Sequence, residues 1–534
     1  MSRRGAAGQV PEGIVETYGD AVDAALDGVD PEAPLWCFGD QLGPAVHGLP
    51  QHAHRDVVLV ESSAVLRRRP YHRQKLHLLL SGMRHLDDEL GDRSTYHRTT
   101  TYREALEKVG RPVVVHEPTS YAAKEFVERL QAEGLVAAIL PTTTFARPKT
   151  EFAAWAGEGG GATRSPSRGN GSSFTMETFY RNQRTRFDVL MEGDSPVGGK
   201  WNLDHENREP PPKKTRTLGV DPPWFPTEDG IDEQVRADLD AMALPTVGAD
   251  GPRLFAVTPD EARKALRQFV DHRLDPFGPY EDAVLAGDWT MAHSLLSVPL
   301  NLGVLHPLEA VAAAEEAYHD GTARLNSVEG FVRQVLGWRE YIWHLYWHFG
   351  KGYHRNNKLQ ARTKLPRWWT ELDGEAVTAA CLSDTLGGVR DRGWVHHIPR
   401  LMILGNFALQ RGYRPSELSE WFTTSFVDGF AWVMPPNVVG MSQHADGGKL
   451  ATKPYASGGA YLNKMTDHCG DCAFDPKVRV GEKACPFTAG YWQFVHRHQD
   501  LLRGNQRTAR AVATMERLDD LDAVLEQEKG RTAF

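Results

Sequence analysis

The sequence predicts two successive folds: an N-terminal α/β domain with a doubly wound parallel sheet, and an all-α C-terminal domain. Between residues 34 and 156, short apolar runs of strand length alternate with stretches of helical periodicity. From about residue 250 onward, apolar residues recur at helical spacing almost throughout. We therefore divide the chain into an N-terminal extension (1–33), an α/β domain (34–156), an interdomain linker (157–249) and a helical domain (250–534).

The α/β pattern consists of five candidate strands, with helices predicted near residues 76–86 and 120–133. The strands are predicted at 35–38, 56–60, 95–97, 113–115 and 136–140. Ligands of such sheets bind at the carboxyl ends of the strands. Asp40, Gln41 and Leu42 follow the first strand and Glu61 follows the second, so these residues are candidates for holding a small ligand. The alternative is that the polar ones only form turns and cap helices.

The segment after the α/β domain begins with a Gly/Ser-rich stretch at residues 157–173, which predicts a flexible linker or surface loop. Residues 179–186 then interleave aromatic side chains with three arginines. That mixture suits contact with phosphates and bases, and it also suits a solvated helix face.

The helical domain contains a long apolar stripe through Phe331, Val335, Trp338, Ile342, Leu345 and Phe349, which predicts a core helix. Gln334 and Arg339 flank the stripe, and they face either the solvent or a bound ligand. Ser294, Ser297 and Asn301 stand near a helix entrance, where free N–H groups favour an anion, although these residue types also simply cap helices.

Two adjacent histidines, His396 and His397, precede Pro399 and belong to the entry turn of an apolar helix. Histidines in this position can transfer protons, bind a metal or make structural hydrogen bonds. Asp428, Tyr455 and Tyr461 lie in a stretch rich in loops, rings and polar groups, which is the usual make-up of a cofactor pocket.

Four of the five cysteines form a ligand pattern. Cys469, Cys472 and Cys485 crowd into one stretch, and Cys381 lies 88 positions before Cys469. Four thiolates bind a tetrahedral zinc or an iron–sulfur cluster. The Cys-Pro pair at Cys485 favours the cluster, while zinc and four unrelated thiols are the alternatives.

The overall composition narrows the class of protein. A formal net charge of −9 argues against indiscriminate nucleic-acid binding, but it allows a local basic groove. No apolar run is long enough to cross a bilayer, and the N-terminal residues lack the apolar stretch of a secretory signal. Because the cysteines are few and in a ligand pattern, we expect a reducing cytoplasm. We also expect the protein to be a monomer. Neither a dinucleotide fingerprint nor a P-loop is present.

Five motifs together resemble one family, the iron–sulfur branch of the cryptochrome/photolyase family, also called prokaryotic (6-4) photolyases. The motifs are Phe38-Gly-Asp-Gln-Leu42, Trp201-Asn-Leu-Asp204-x-Glu206-Asn-Arg208, Gly337-Trp-Arg-Glu-Tyr341, His396-His-Ile-Pro-Arg400 and Cys469-x2-Cys472. They agree with the family in order and spacing over about residues 34–510.

The resemblance implies a light-driven DNA (6-4) photolyase, a lyase that repairs UV-induced (6-4) pyrimidine–pyrimidone photoproducts in DNA. Its cofactors would be FAD in the helical domain, a [4Fe-4S] cluster, and 6,7-dimethyl-8-ribityllumazine as antenna in the α/β domain. An electron would pass from photoexcited reduced FAD to a lesion flipped out of UV-damaged DNA, as chemistry on a stacked base requires.

The resemblance also assigns roles to residues. Cys381, Cys469, Cys472 and Cys485 match the cluster ligands, and His396 and His397 match the histidines beside the lesion, where we also expect Tyr455 and Tyr461. The antenna pocket is matched by Asp40, Gln41, Leu42 and Glu61. The flavin region is matched by Ser294, Ser297, Asn301, Gln334, Trp338, Arg339 and Asp428, and the electron-transfer chain by Trp421 and Trp369.

Two positions depart from the family pattern: Phe422 stands where the chain of donors often has tyrosine, and Met434 where an acidic or polar residue is expected near the flavin. They favour altered photochemistry, as in a blue-light photoreceptor (cryptochrome) with the same cofactors and no repair. A light-independent cluster protein that binds nucleic acid is a third hypothesis, but it leaves the α/β half without a purpose. For the cluster we expect a structural role, since it would close a long loop of chain.

Overall fold

A five-stranded parallel sheet organises the N-terminal half in the computed structural model, which describes residues 10–11, 13–157 and 175–534. The strands are β1 (Leu35–Cys37), β2 (Val57–Ser62), β3 (Ser94–Thr99), β4 (Val113–His116) and β5 (Val136–Leu140). Their order is β3-β2-β1-β4-β5, and Leu35 pairs with Val57 on one side and Val114 on the other. The doubly wound sheet and all five predicted strands are confirmed.

Side chains alternate between the two faces of this sheet, and both faces are covered. On one face Trp36 and Val58 pack against the helices Tyr102–Val109 and Tyr121–Ala132. On the other face Leu35 and Leu59 join a core that continues into the helical half. The remaining helices of this half are Ile14–Leu26, Pro44–His47, Ser63–Leu66, Arg73–Leu90 and Lys149–Gly157.

The part of the predicted linker that the structure describes contains two regular helices, Met176–Phe187 and Gly230–Met242. The Gly/Ser-rich stretch predicted at 157–173 falls, apart from Gly157, outside the described residues. A two-residue strand, Thr246–Val247, pairs in parallel with Tyr71–His72, and Met191–Glu192 forms a small hairpin with Ser195–Pro196. The chain between the two halves packs on both of them, since Thr246–Val247 pairs with the α/β half and helix Met176–Phe187 contacts Arg333–Arg339 of the helical half.

The C-terminal half is helical, as predicted. Its helices are Pro259–His272, Leu274–Tyr280, Ser297–Leu302, Pro307–His319, Leu325–Val332, Glu340–Phe349, Arg367–Thr370, Ala380–Arg392, Asn406–Arg411, Pro415–Ser425, Gly459–Met465, Pro486–Arg497, Gln499–Arg503, Ala509–Met515 and Leu521–Gly530. Within the described ranges, no helix has the length and apolar character needed to cross a membrane.

The C-terminal half also contains three π-helical segments within its described residues, at Arg333–Arg339, Pro399–Gly405 and Pro436–Ser442. The second and third turns pack against each other, and the helix Glu340–Phe349, which continues from the first, packs against the third. Such turns are rare and are found frequently at functional sites, because the extra residue re-aims the side chains around it.

The two halves touch through backbone as well as side chains. Leu42 donates a backbone hydrogen bond of 3.0 Å to Leu302 O. At Gly43 an added Cβ would lie 1.7 Å from Gly303 O, so only glycine permits this approach. The buried ammonium of Lys75 donates to the backbone carbonyls of Thr423, Phe426 and Gly429. Thr423 lies in the last turn of helix Pro415–Ser425, and the other two residues follow that helix.

Candidate active site and cofactor-binding regions

The four cysteines of the ligand pattern line one cavity, together with apolar residues that include Leu462, Phe474 and Phe487. Helix Ala380–Arg392 supplies Cys381, and the loops before helix Pro486–Arg497 supply the other three. Burial raises the pKa of the Cys381 thiol well above its usual range, and the three neighbouring thiols raise it further. The thiolates therefore need a bound cation to be stable there.

Four thiols that share one cavity supply the ligand set of either a tetrahedral zinc ion or an iron–sulfur cluster. Outside this cavity, the side chains of His85, Asp229 and Asp232 place their ligand atoms within 4.8 Å of one another.

A hydrogen-bonded network surrounds Asp428. Arg400 binds its carboxylate through two nitrogens at 2.8 and 3.0 Å, and Ser297 donates to it at 2.7 Å. Asn301 donates to the Asp428 backbone carbonyl at 3.1 Å, and Trp394 donates to Ser297 Oγ at 3.3 Å. Three predicted flavin-region residues therefore converge in one place, where they hold a defined geometry.

His396 stacks on His293 beside this network, with ring centroids 4.2 Å apart. Both ring nitrogens of His396 and Nε2 of His293 are buried and have no hydrogen-bond partner in the described part of the chain. Burial lowers the pKa of His396 well below its usual value, and His293, His397 and Arg400 lower it further, so its ring is neutral. Because buried polar groups are normally paired, these nitrogens are positioned for a ligand.

His397 begins the next helix and has a different environment. It lies deep in the protein, which lowers the pKa of its ring to about 4, yet the ring is exposed. An exposed ring at such depth faces an open space inside the fold. The structure thus buries His396 against His293 and leaves its neighbour His397 open to this space.

Trp338 and Arg339 belong to the first π-helical turn, together with Gln334. The Arg339 guanidinium lies over the rings of Phe145 and Trp432, 4.5 and 5.3 Å from their centroids. It donates to Leu300 O at 3.0 Å, which ties the turn to the helix that carries Ser297 and Asn301. Trp338 and Arg339 are partly exposed and Gln334 is exposed, so all three are accessible to a ligand.

Tyr455 and Tyr461 are partly buried beside the segment 201–208, which carries one of the sequence motifs. Burial raises the pKa of both phenols, and the charges of Asp282 and Arg208 act on both. Burial also raises the pKa of Asp282 to about 6, with Asp204 as the next cause. The two tyrosines therefore share their surroundings with an acidic group and an arginine from the motif.

The predicted electron-transfer residues are in contact. The ring centroids of Trp421 and Trp369 lie 5.3 Å apart, and Trp368 follows 5.7 Å from Trp369. Trp369 is fully buried and Trp368 is partly exposed, so the three rings form a path toward the surface. Phe422 packs against Trp421 at 4.9 Å, and Met434 belongs to the same core.

The predicted antenna residues lie at the carboxyl ends of the central strands. Asp40 accepts a hydrogen bond from Thr119, which follows β4, so these side chains meet where the strand order reverses. Burial raises the pKa of Asp40. Glu61 accepts bonds of 3.0 Å from Arg84 and from Tyr96.

Gln41 and Leu42 are fully enclosed. The Gln41 amide donates to the carbonyls of His116 and Glu117, both at 3.2 Å, and its oxygen accepts from Phe38 N. These contacts hold the turn after β1 against β4. Gln41 therefore has the turn-forming role that was the alternative to ligand binding. Of the predicted antenna residues, Asp40 retains partial exposure.

Arg184, in the arginine-rich helix Met176–Phe187, is not accessible to a nucleic acid. Arg184 is fully buried and donates to the carbonyls of Val189, Trp201 and Leu190. Arg181 pairs with Glu177 and Arg186 with Glu151. The interpretation of this segment as a phosphate-contacting surface is wrong for Arg184, whose function is to anchor the chain around it.

Three residues of the site were not predicted from sequence: Lys75, His293 and Arg400. Arg400 belongs to the histidine motif and His293 precedes Ser294, so proximity along the chain is a signal for both. Lys75 lies in a helix of the α/β half and reaches the Asp428 segment only in three dimensions. Burial lowers the pKa of Lys75 to about 7, while Asp428 opposes that shift.

Comparison with known proteins agrees with this geometry. A family model described as deoxyribodipyrimidine photo-lyase-related protein matches residues 35–254. A protein of Agrobacterium fabrum named "(6-4) photolyase" is 37% identical over 501 residues, which cover 90% of this chain and 95% of that protein. A match of this identity along nearly the whole of both chains shows that the protein is of the photolyase class. The chain belongs to the cryptochrome/photolyase family.

Two solved structures share the fold. The crystal structure of a bacterial class III photolyase from Agrobacterium tumefaciens matches with a TM-score of 0.51 and 15% identity, over 91% of this chain and 98% of that one. The cryptochrome of Synechocystis sp. PCC6803 matches with a TM-score of 0.51 and 12% identity, over 93% and 92%. At these identities the matches describe the architecture alone.

Proposed function

We propose that this protein is a light-driven DNA (6-4) photolyase that repairs (6-4) photoproducts in UV-damaged DNA, acting as a monomer in the cytoplasm. The observation that carries the proposal is the similarity to the (6-4) photolyase of Agrobacterium fabrum along nearly the whole length of both chains. It is supported by the unpartnered, stacked ring of His396 beside an internal space that His397 faces.

The residues at this space fit FAD. Ser297, Asn301 and Asp428 provide hydroxyl, amide and carboxylate groups, while Trp338 and Arg339 provide an accessible ring and a guanidinium. We assign FAD to these residues together with Ser294 and Gln334. When bound and illuminated, reduced FAD supplies the electron that starts cleavage of the lesion.

The chain's own groups provide the proton chemistry and the geometry. His396 is neutral, with one ring N–H available to donate and the other nitrogen available to accept. Its enclosure keeps water away from the reacting base, which strengthens each hydrogen bond made there. Arg400 and Asp428 fix the entry turn of the His397 helix against helix Ser297–Leu302, so the two histidines keep one orientation.

Tyr455 and Tyr461 are proposed to contact the extruded nucleotide, since rings stack on bases and phenols bind their edges. Arg208 and Arg507 act on Tyr455 alongside the carboxylates of Asp204 and Asp282, and the two exposed arginines are the proposed contacts to the DNA backbone. Contact through these arginines is compatible with the overall net charge of −9.

For the other two cofactors, the proposals rest on donor chemistry. Four thiolates in one cavity, with Cys485 followed directly by proline, suit a [4Fe-4S] cluster on Cys381, Cys469, Cys472 and Cys485. The partly exposed Asp40 at the switch point of the sheet suits 6,7-dimethyl-8-ribityllumazine, with Glu61, Gln41 and Leu42 shaping the pocket.

The decisive experiment is incubation of the purified holoprotein with an oligonucleotide that contains one (6-4) photoproduct, under blue light and in the dark. We expect loss of the lesion in the light alone. An intact flavin spectrum without any loss of the lesion would refute repair and leave the blue-light receptor as the function.

The cluster assignment has its own test. Cys469→Ser is expected to abolish bound iron and acid-labile sulfide, because the cluster loses one of four ligands. Cys37→Ala is the matched control, since Cys37 lies in the sheet and outside the cavity. Zinc in place of iron and sulfide in the unmodified protein, or full iron content in Cys469→Ser, would contradict the assignment.

A further inference from the structure

A second cavity lies in the C-terminal half, away from the candidate site. Its volume is about 220 Å³, and it is bounded by the segment 359–363, by residues around Gly412, and by Arg497 and His498. Thr363 and Gly412 hold two of these walls together through a backbone hydrogen bond of 3.0 Å. None of the residues assigned to FAD, the lesion, the cluster or the antenna lines this cavity.

The lining carries an excess of positive charge. Arg362, Arg411 and Arg497 all line the cavity, and the residues that line it include no carboxylate. Glu528 pairs with Arg411 at 2.6 Å but also with Arg531 at 2.7 Å, so one carboxylate serves two guanidiniums. Arg362 and Arg497 have no carboxylate partner in the described part of the chain.

Arg411 has an unused donor at the inner end of the cavity. Its side chain is 7% exposed, and its Nε has no hydrogen-bond partner among the described residues. Burial lowers the pKa of Arg411, and burial together with the charge of Arg411 lowers the pKa of Arg497. Arg411 shares the Glu528 carboxylate with Arg531, and Arg362 and Arg497 have no carboxylate partner among the described residues, so a bound anion offsets the excess positive charge of the lining.

We propose that this cavity is a binding site for a phosphate-type oxyanion. Guanidinium groups match the geometry of phosphate through paired N–H donors, and two of the three here have no competing carboxylate. The cavity is several times larger than the ~30 Å³ that one water occupies, so a diphosphate-sized group fits. The anion is either part of a free phosphorylated molecule or a backbone phosphate of bound DNA.

The test is titration of the full-length holoprotein with inorganic pyrophosphate at low ionic strength, followed by calorimetry. We expect saturable binding at one site, and binding at least about tenfold weaker for the double variant R362Q/R497Q. Both arginines are exposed, but Arg497 donates to Gln410 O at 3.3 Å and to Gln493 Oε1 at 3.1 Å. Circular dichroism of the double variant therefore checks that its fold is intact. The single variant R362Q, expected to bind more weakly than the unmodified protein, repeats the test without loss of those bonds. R510Q is the matched control, because Arg510 is exposed, lies in the same half and is outside the cavity.

Absence of saturable binding by the unmodified protein would overturn the proposal, as would equal weakening in R510Q. The source of the anion is decided by repeating the titration with saturating duplex DNA. If DNA blocks pyrophosphate, and R362Q/R497Q lowers the salt slope of DNA binding by about two, the occupant is a DNA phosphate. If both ligands bind together, it is a free phosphorylated molecule. The site is thus testable without any repair assay.

Discussion

At the scale of residues, the stacked histidines have a feature that the sequence alone does not show. His396 and His397 are adjacent in the chain, yet one is buried with two unpartnered nitrogens and the other faces an open space. Adjacent positions at a helix start point in different directions, so they acquire different burial and different chemistry. His396 is therefore the better candidate for donating a hydrogen bond inside a dry site.

We expect His396→Ala to lower repair turnover by about 100-fold or more, which is the usual contribution of a positioned proton donor. FAD content and affinity for damaged duplex are expected to stay unchanged, because the network around Asp428 does not include His396. The measurement is lesion loss per photon under saturating substrate. Turnover equal to that of the unmodified protein would remove His396 from the catalytic group.

Residue roles were predicted from sequence where a short motif carries them, and missed where contacts come from distant segments. The four cysteines meet in one cavity as their spacing predicts. The segment that contains Arg184 suits either nucleic-acid contact or a solvated helix face, yet Arg184 is buried among backbone carbonyls. Composition cannot distinguish an arginine that faces solvent from one that satisfies carbonyls, because both occur on amphipathic helices.

At the scale of elements, the apolar stripe from Phe331 to Phe349 predicts a core helix, and the structure confirms it. The π-helical turn at Arg333–Arg339 inside that helix was not predicted. A π-turn contains one more residue than an α-helical turn. Apolar residues spaced three and four apart keep the same pattern in the sequence whether or not such a turn is present. The turn re-aims Trp338 and Arg339, so the accessible face of the helix could not be read from periodicity.

The tryptophan path is also a property of packed elements, since helix Arg367–Thr370 presents Trp369 to Trp421 on helix Pro415–Ser425. We expect Trp369→Phe to slow photoreduction of the flavin at least about tenfold, because phenylalanine is far harder to oxidise. Repair by chemically reduced protein is expected to be unaffected.

The matched control for this path is Trp36→Phe, which replaces an equally buried tryptophan in the sheet. Transient absorption after a blue flash measures the photoreduction rate of both variants. A normal rate in Trp369→Phe, or an equal loss in Trp36→Phe, would show that electrons take another route.

At the scale of the whole molecule, buried neutral histidines link stability to pH. Burial lowers the pKa of six histidines spread over both halves to about 4 or 3; they are His47, His72, His116, His293, His306 and His498. Their unfolded pKa is about 6.5, so below that pH the unfolded chain binds protons that the folded chain excludes. Stability is therefore lost as pH falls from 6.5 toward 4.

We expect the free energy of unfolding to decrease by up to about 1.4 kcal/mol per pH unit for each such histidine across that window. Partly exposed members contribute less, since solvent screens them. Urea denaturation at several pH values between 8 and 4 measures the slope. A flat profile from pH 6.5 to 5 would contradict the neutral, buried state of these rings.

The class and order of elements were predicted from sequence, because strand length and helical periodicity are local signals. The domain boundaries stay a prediction, although helices Met176–Phe187 and Gly230–Met242 lie inside the segment predicted as a linker. How the halves meet is not a local property. It depends on contacts such as Lys75 with the carbonyls near Asp428, more than 300 positions away along the chain.

The contact between Gly43 and Gly303 limits how this architecture can be recombined. The α/β half resembles an exchangeable module, yet its loop touches the backbone of the helix that carries Ser297 and Asn301. A chimera that takes this half from a relative must therefore also take residues 302–304 and 423–430. Otherwise the graft keeps the sheet of its source but loses the backbone contacts that position the helix with Ser297 and Asn301 against it.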